Sequence, residues 1–146
     1  MDRKIDSKQP SPCNCINLRR ASQAITEVYD EFLEPSGLKI SQYALLKNIM
    51  QFGPVSVSDL ALTIRLDRTT LVRNLKPLEM RGLIMDASAK GSRNRQLVLT
   101  DQGNKTLQGA VSLWLAAQDG IEQYLGKDDL NTLTLLLSKI EKLSKK

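Results

Sequence analysis

The sequence predicts a mainly α-helical fold with one small β-hairpin, and three observations support that prediction. Apolar residues recur at steps of three and four over most of the chain, which is the period of an amphipathic helix. Between residues 83 and 99 the pattern changes to short β-prone runs around polar turn residues. A length of 146 residues, with 41% hydrophobic and 25% charged residues, suits one globular domain of ordinary size.

The first twelve residues differ from the rest because they are polar and charged and include two prolines. We expect a flexible arm over residues 1–12, followed by a single domain over residues 13–146. No apolar run approaches the roughly 20 residues that span a bilayer, and none follows the N-terminal charges as in a signal peptide. Two cysteines in such a chain suit a reducing compartment, so a cytoplasmic location is expected.

Two helices are predicted in the first third of the chain. The first carries an apolar stripe with alternating steps of three and four: Leu18, Ala21, Ile25, Val28 and Phe32. Pro35 and Gly37 interrupt this stripe and predict the end of the first helix. Ser41 is expected to cap a second helix, which should end at Gly53 before a proline.

A short third helix should follow Ser56, and Asp67 should cap a fourth helix. The apolar residues of the fourth helix are expected to face inward: Leu71, Val72, Leu75 and Leu78. Pro77 removes a backbone donor, so it should kink this helix or end its regular part near Lys76. Gly82 is expected to stop the helix.

Two short strands, over residues 83–85 and 96–99, should form a hairpin around a polar loop that projects because it is longer than a tight turn. After Thr100, an expected cap, the helical period returns as far as Gly126, and a last helix follows. Three helices that precede a two-stranded wing are typical of a winged helix-turn-helix.

The terminal helices carry leucine-rich stripes that a single winged core cannot cover, so they need a partner. We therefore expect residues 13–34 and 101–146 to form a helical dimerisation region. Between these ranges, residues 41–100 are expected to form a winged-helix lobe.

The composition excludes several classes of function. The chain has no histidine, which removes the commonest general base and the commonest metal ligand. Two cysteines would need carboxylates or a second subunit to complete a zinc site, and no other converging acid, base or nucleophile is evident. We expect neither an enzyme nor a cofactor or metal. A net charge of +5 and a pI of about 9.3 instead favour an anionic partner such as nucleic acid.

The placement of the positive charges indicates DNA in particular. The fourth helix offers guanidinium, hydroxyl and amide groups on its polar side, and the hairpin adds further basic residues. Either group alone is usually a solvated surface, but a basic helix followed directly by a basic wing favours DNA binding. The expected DNA-binding residues are Ser56, Ser58, Arg68, Thr69, Thr70, Arg73, Asn74, Lys76, Lys90, Arg93 and Arg95.

These segments resemble a known family. Residues 60–84 are similar to the recognition segment of the MarR family, and Arg93 followed by residues 97–103 is similar to its wing-to-helix signature. The resemblance extends from Cys15 to Leu143. It implies a homodimeric transcriptional regulator, usually a repressor, that reads a pseudo-palindromic site in double-stranded DNA. One departure is Gly91, because the family usually has an acidic residue at that position.

The first helix resembles one branch of the family more closely. Residues 15–26 are similar to the first helix of its organic-hydroperoxide-sensing members. The resemblance places the reactive cysteine of that branch at Cys15. Its partner tyrosines would match Arg19, Tyr29 and Ile40, of which Tyr29 alone is a tyrosine.

Cys15 also has features of a redox site on physical grounds. A thiol at a helix start, one turn from Arg19, lies in a positive potential that raises its reactivity. Oxidation would pass through a sulfenic acid to a disulfide, with Cys13 as one resolving partner. Because a Cys13–Cys15 bridge would close a small strained ring, a mixed or inter-subunit disulfide is expected. The alternative is that Cys15 is an ordinary small residue without a role.

A small-molecule site is the competing hypothesis for regulation. Aromatic or anionic ligands of this family can bind between the dimerisation helices and the DNA-binding lobe, where Tyr29, Tyr43 and Trp114 would line the site. Aromatic residues at helical spacing are more often simple core. Either trigger would change the distance between two recognition helices. A remote alternative is a winged-helix protein-interaction module, which predicts a neutral or acidic fourth helix.

Overall fold

The computed structural model describes residues 8–89 and 91–145. Within these ranges the chain is mainly helical, with a small antiparallel sheet, as the sequence predicts. The elements are α1 (Asn14–Leu33), a 3₁₀ turn (Glu34–Ser36), α2 (Ile40–Phe52), β1 (Val55–Ser56), α3 (Val57–Ile64), α4 (Arg68–Met80), β2 (Ile84–Asp86), β3 (Gln96–Leu99), α5 (Asp101–Leu125) and α6 (Lys127–Glu141). None of the helices in this part of the chain is long and apolar enough to cross a membrane.

The hydrophobic core lies between α2, α3, α4, the sheet and the first half of α5. Each fully buried leucine or isoleucine there stabilises the fold by about 1.5–3 kcal/mol relative to an exposed position. The leucine and isoleucine residues that are at most 1% exposed on these elements, or between α4 and the sheet, are Leu46, Ile49, Leu60, Leu71, Leu75, Leu78, Leu83, Leu97 and Leu107.

Three helix caps predicted from the sequence are confirmed. Ser56, Asp67 and Thr100 each accept a hydrogen bond from the backbone N–H three residues on, at 3.1, 2.8 and 3.0 Å respectively. Each bond satisfies one of the backbone donors that a helix start leaves without a partner. The starts of α3, α4 and α5 are therefore set by local sequence.

The predicted cap of α2 is wrong. The helix begins at Ile40, so Ser41 lies inside its first turn. The Ile40 N–H donates instead to Asp30 Oδ1 at 2.8 Å, and the Lys39 N–H donates to Gln42 Oε1 at 2.9 Å. Because Asp30 belongs to α1, the cap of α2 also fixes the position of α2 relative to α1.

The sheet contains one strand that the sequence did not predict. The central strand β3 pairs antiparallel with β2, the predicted hairpin, and also with the two-residue strand β1. Val55 lies opposite Leu97, and Ile84 lies opposite Leu99. Since β1 leads directly into α3, the wing is hydrogen-bonded to the start of the helix-turn-helix.

Helix α4 continues through Pro77 to Met80. Of the two outcomes expected from Pro77, an end of the regular part near Lys76 is therefore wrong. Pro77 is exposed, while Leu75 and Leu78 on either side of it are 1% and 0% exposed. Burial of these leucines holds the last turn in place despite the missing backbone donor.

The predicted stop at Gly82 is confirmed. Gly82 has a φ of 70°, in the left-handed region that favours glycine. Its N–H donates to the Glu79 carbonyl, and the Leu83 N–H donates to the Leu78 carbonyl, both at 3.0 Å. This pair of bonds is a Schellman motif, which turns the chain directly from α4 into β2.

The terminal helices expose apolar surface. No residue of α6 is buried, and α1 buries Leu33 alone among its described residues. Large apolar side chains at least 38% exposed on α1 and on the C-terminal segment are Ile16, Leu18, Ile25, Phe32, Leu135, Leu136, Leu137, Ile140 and Leu143. A surface of this kind is typical of a protein–protein interface.

Gly103 marks a close backbone approach between α5 and Leu83, the residue before β2. A Cβ at this position would lie 1.9 Å from the Leu83 carbonyl oxygen, whereas a Cβ at Gly109 meets nothing within 4 Å. The Leu83 oxygen also accepts the Thr100 N–H at 3.0 Å, so it has little freedom to move.

We expect Gly103→Ala to destabilise the protein by about 2 kcal/mol or more, because the backbone must shift to admit the methyl group. Gly109→Ala in the same helix is the control and should be neutral or stabilising by about 0.5–1 kcal/mol. Urea unfolding at one fixed protein concentration measures both variants. Equal stability of the two would contradict the close approach.

Candidate nucleic-acid interface

Helices α3 and α4 form a helix-turn-helix with a three-residue turn. Arg65 ends α3 in the left-handed region, with a φ of 58°, and the Leu66 N–H donates to the Ala61 carbonyl at 3.0 Å. Ala61 is 8% exposed, and its small side chain suits the approach of the two helices. Asp67 then caps α4, so the turn fixes where the first side chains of α4 emerge.

The predicted DNA-facing side of α4 is exposed. Arg68, Thr69, Arg73 and Lys76 are exposed. Thr69, Arg73 and Lys76 lie one turn apart along one side of the helix, opposite the buried leucines. This face combines hydroxyl and cationic donors that match base edges and phosphates.

The other predicted polar residues are partly used for local structure. Thr70 is half-buried, and its hydroxyl donates to Asp67 Oδ2 at 2.8 Å. The Ser56 hydroxyl caps α3. Ser58 is exposed, and its hydroxyl accepts a long 3.4 Å hydrogen bond from Arg68. Asn74 is half-buried.

Val72 does not face inward as predicted. It is 44% exposed, whereas Leu71 and Leu75 are at most 1% exposed. The buried stripe follows steps of four and three residues from Leu71, and the next residue lies about 100° away around the helix. Val72 therefore lies beside Thr69 and Lys76, and it adds an apolar group to the basic face.

The tip of the wing presents Arg93. Gly91 has a φ of 87°, and the Ser92 N–H donates to the Ala89 carbonyl at 2.9 Å, which closes a turn at the tip. Arg93 is exposed beyond this turn. Lys90, another predicted DNA-binding residue of the tip, lies outside the described residues.

Arg95 has a different environment from Arg93. It is half-buried at the base of the wing, where its guanidinium contacts the carboxylate of Glu79 and lies 4.0 Å from that of Asp86. Hydrogen bonds, first from Ser88 and then from the Gln96 backbone, hold the pKa of Asp86 below its usual value. Neither Glu79 nor Asp86 was predicted to take part in the site, because neither stands near Arg95 in sequence.

The two cysteines lie at the start of α1. Cys13 is the N-cap residue and Cys15 lies in the first turn, and both thiols are free and exposed. Directly before the helix, the Ser11 N–H donates to Asn17 Oδ1 and Asn17 Nδ2 donates to the Ser11 carbonyl, both at 2.8 Å. The end of the predicted arm is thus hydrogen-bonded to α1, while residues 1–7 lie outside the described residues.

Tyr29 lies far from Cys15 within one protomer. Fourteen residues separate them on one helix, which corresponds to about 21 Å along its axis. The Tyr29 hydroxyl donates to Gln118 Oε1 on α5, and burial raises the pKa of this tyrosine. Any contact between Tyr29 and Cys15 would therefore have to cross a dimer interface.

Tyr43 and Trp114 stack on each other between α2 and α5. Their ring centroids are 5.8 Å apart with an interplanar angle of 15°, and Tyr43 is 4% exposed. Burial raises the pKa of Tyr43. In this arrangement the two rings fill space beside the core, and a ligand site lined by them stays a prediction.

A short turn between two helices, an exposed basic second helix and an arginine-bearing hairpin beside it define a winged-helix DNA-binding protein. Residues 38–87 match the sequence model of the MarR family. The chain is 30% identical to the transcriptional regulator MosR of M. tuberculosis in a crystal structure with DNA. That match covers 92% of this chain and 99% of MosR, with a TM-score of 0.77.

Two further proteins, CouR and YwoH, are also similar to this chain. The transcriptional repressor CouR, bound to a 23-mer DNA duplex, is 26% identical, with 95% and 99% of the two chains covered and a TM-score of 0.81. CouR has also been solved with p-coumaroyl-CoA. YwoH of Bacillus subtilis, described as an uncharacterized HTH-type transcriptional regulator, is 26% identical over 88 residues, which is 60% of this chain and 64% of YwoH. The chain belongs to the MarR family of DNA-binding transcriptional regulators.

The exposure of Val72 on the basic face yields a test on DNA. Apolar side chains in the major groove contact the methyl group of thymine. We expect the wild type to bind the DNA upstream of its own gene about fourfold more weakly for each half-site when uracil replaces thymine, because uracil lacks the methyl group that Val72 would bury. Val72→Ala should show a smaller penalty for uracil DNA, because its shorter side chain buries less of the thymine methyl group.

Met80, which is 80% exposed at the other end of α4, supplies the control. Met80→Ala should lose affinity for uracil DNA as the wild type does. Fluorescence anisotropy with fragments amplified from either nucleotide measures all three proteins. The same uracil penalty in Val72→Ala as in the wild type would exclude this contact.

Proposed function

We propose that the protein is a homodimeric repressor that places the two α4 helices in successive major grooves of a pseudo-palindromic operator, with the wings alongside. The observation that carries this proposal is the exposed basic face of α4 beside Arg93 on the wing. Residues 41–100 form the DNA-binding lobe in this proposal. MosR and CouR, both solved with DNA, support it by their similarity.

The exposed apolar faces of the terminal helices support the dimer. Residues 13–34 and 101–146 contain α1, α5 and α6, and α6 buries none of its residues within the protomer. Leu135 and Leu143 are 72% and 80% exposed. A second copy would remove this surface from water, and each apolar Å² that it covers contributes about 25 cal/mol.

Base reading and phosphate binding are assigned to different arginines. Arg73 lies in the middle of the exposed face of α4, where a guanidinium reaches base edges in the major groove. Arg93 lies at the wing tip, where it reaches backbone phosphates or the minor groove. Specificity should therefore depend on Arg73, and the dependence of affinity on salt should depend more on Arg93.

We expect Arg73→Ala to abolish specific binding to the upstream DNA. Arg93→Ala should weaken binding and reduce the slope of log affinity against log salt by about 0.9 for each phosphate that the variant no longer neutralises. Titrations at several salt concentrations, with a scrambled competitor, measure both effects.

Lys127→Ala is a charge-matched control. Lys127 follows the 25 residues of α5, which places it about 38 Å along that helix from the end of the wing. Its substitution should leave both affinity and slope unchanged. Unchanged affinity in both arginine variants would refute the proposed docking.

Thiol oxidation at Cys15 is the proposed trigger for DNA release. An organic hydroperoxide would oxidise the thiolate to a sulfenic acid and leave as the alcohol, and a second thiol would then form a disulfide with loss of water. The exposed Cys15 in the first turn of α1 supports this proposal. Because α1 is part of the proposed dimerisation region, a change at its start can alter the spacing of the two α4 helices.

We expect Cys15→Ser to keep the DNA affinity of the wild type and to lose the response to cumene hydroperoxide, because the sulfenic acid cannot form. The matched variant Cys13→Ser tests the resolving role, and it should slow or divert disulfide formation but keep the first oxidation step. Titration of the reduced and oxidised proteins, followed by addition of dithiothreitol, measures the response. Release of DNA by oxidised Cys15→Ser would show that Cys15 is not the sensor.

A small-molecule effector is the second candidate trigger. CouR, whose structure with p-coumaroyl-CoA is 25% identical with a TM-score of 0.82, supports this alternative. An aromatic or anionic ligand would bind between the dimerisation helices and the DNA-binding lobe, near Tyr29, Tyr43 and Trp114. DNA binding that ignores hydroperoxide but weakens when an aryl-CoA thioester is added would favour this candidate over oxidation.

A further inference from the structure

The base of the wing contains an ion cluster that joins three elements. Glu79 lies in the last turn of α4, Asp86 ends β2, and Arg95 immediately precedes β3. The Arg95 guanidinium contacts the Glu79 carboxylate through Nη2, and its Nε lies 4.0 Å from Asp86 Oδ2. We name these three residues the wing-base cluster.

The cluster is shielded from solvent more than a typical surface pair. The side chains of Arg95, Glu79 and Asp86 are 38%, 32% and 36% exposed, whereas those of the Arg65–Glu141 pair are 75% and 64% exposed. Glu79 Oε1 is itself buried, and among the described residues Arg95 is the cation in contact with it. Loss of Arg95 would leave a buried carboxylate oxygen without its counter-charge, which is costly.

Asp86 extends the cluster to the backbone of the wing. Its Oδ1 accepts the Ser88 N–H at 2.9 Å and the Gln96 N–H at 3.0 Å, on opposite sides of the loop. The Ala87 N–H donates to the Gln96 carbonyl at 2.7 Å beside it. The cluster thus holds both stems of the wing and ties them to α4.

We propose that Arg95 is a positioning residue for the wing, which sets the angle at which Arg93 meets DNA, and that it does not itself bind DNA. This inference rests on the proposed DNA-binding function and differs from the prediction that Arg95 contacts DNA. The charge of Arg95 is already matched by two carboxylates, whereas the exposed Arg93 at the tip remains available to phosphates.

Glu79→Gln tests the inference, because the two explanations predict different directions for the change in DNA affinity. If Glu79 had no part in binding, removal of a negative charge near DNA would leave affinity unchanged or raise it, since repulsion of phosphates would fall. If the cluster positions the wing, Glu79→Gln should weaken binding by about fivefold to tenfold, and Arg95→Gln should weaken it by a similar factor.

A double-mutant cycle identifies the residue through which Arg95 acts. Arg95→Gln should have little further effect in an Arg93→Ala background, because the side chain that it positions is already absent. A direct phosphate contact by Arg95 would give additive losses and a further drop in salt slope.

The outcomes separate this inference from the proposed function. Specific binding by the wild type that Arg73→Ala abolishes, together with unchanged or tighter binding by Glu79→Gln, would overturn the inference alone. Failure of the wild type to bind would overturn the proposed function. Circular dichroism melts and gel filtration establish that each variant is folded. If Arg95→Gln proves unstable, the DNA affinity of Glu79→Gln alone still decides between the two explanations.

Discussion

The contact between the backbones at Gly103 and Leu83 is the constraint on which the rest of the structure depends. Three elements meet there, because the Schellman motif ends α4 just before Leu83, β2 begins just after it, and α5 starts against its carbonyl. The Thr100 hydroxyl also donates to the Gly82 carbonyl at 2.6 Å. The long helix of the proposed dimer interface and the DNA-binding lobe are therefore joined by main-chain contacts, which side-chain rotation cannot relax.

Local signals made most of the fold predictable from the sequence. The caps at Ser56, Asp67 and Thr100 act on the residues that follow them, so their effect can be read directly. The start of α2 could not be predicted in this way, because its cap is supplied by Asp30 from another helix. Strand β1 could not be predicted, because two residues are too few to show a period and its partner residues lie about forty positions later in the chain.

The residues of the candidate site also fall into those that local sequence predicts and those whose contacts depend on the folded chain. The exposure of Arg68 and Arg73 follows from charge and helical period, and that of Arg93 follows from its charge in a polar loop, so the sequence predicts all three. The partners of Arg95 depend on hairpin register and on the direction in which α4 ends, which are properties of the folded chain. The apolar character of Val72 alone predicts the wrong side of α4, because this residue lies about 100° from the buried stripe.

The separation of faces on α4 has a consequence for how such regulators diversify. Leu71, Leu75 and Leu78 supply its packing, while the exposed positions around Thr69 and Arg73 contribute little to the core. Surface substitutions of this kind usually change stability by no more than about 0.5 kcal/mol. In the proposed docking, a duplicated gene can therefore acquire a new target sequence by drift at a few positions, while the scaffold and the terminal helices are inherited unchanged.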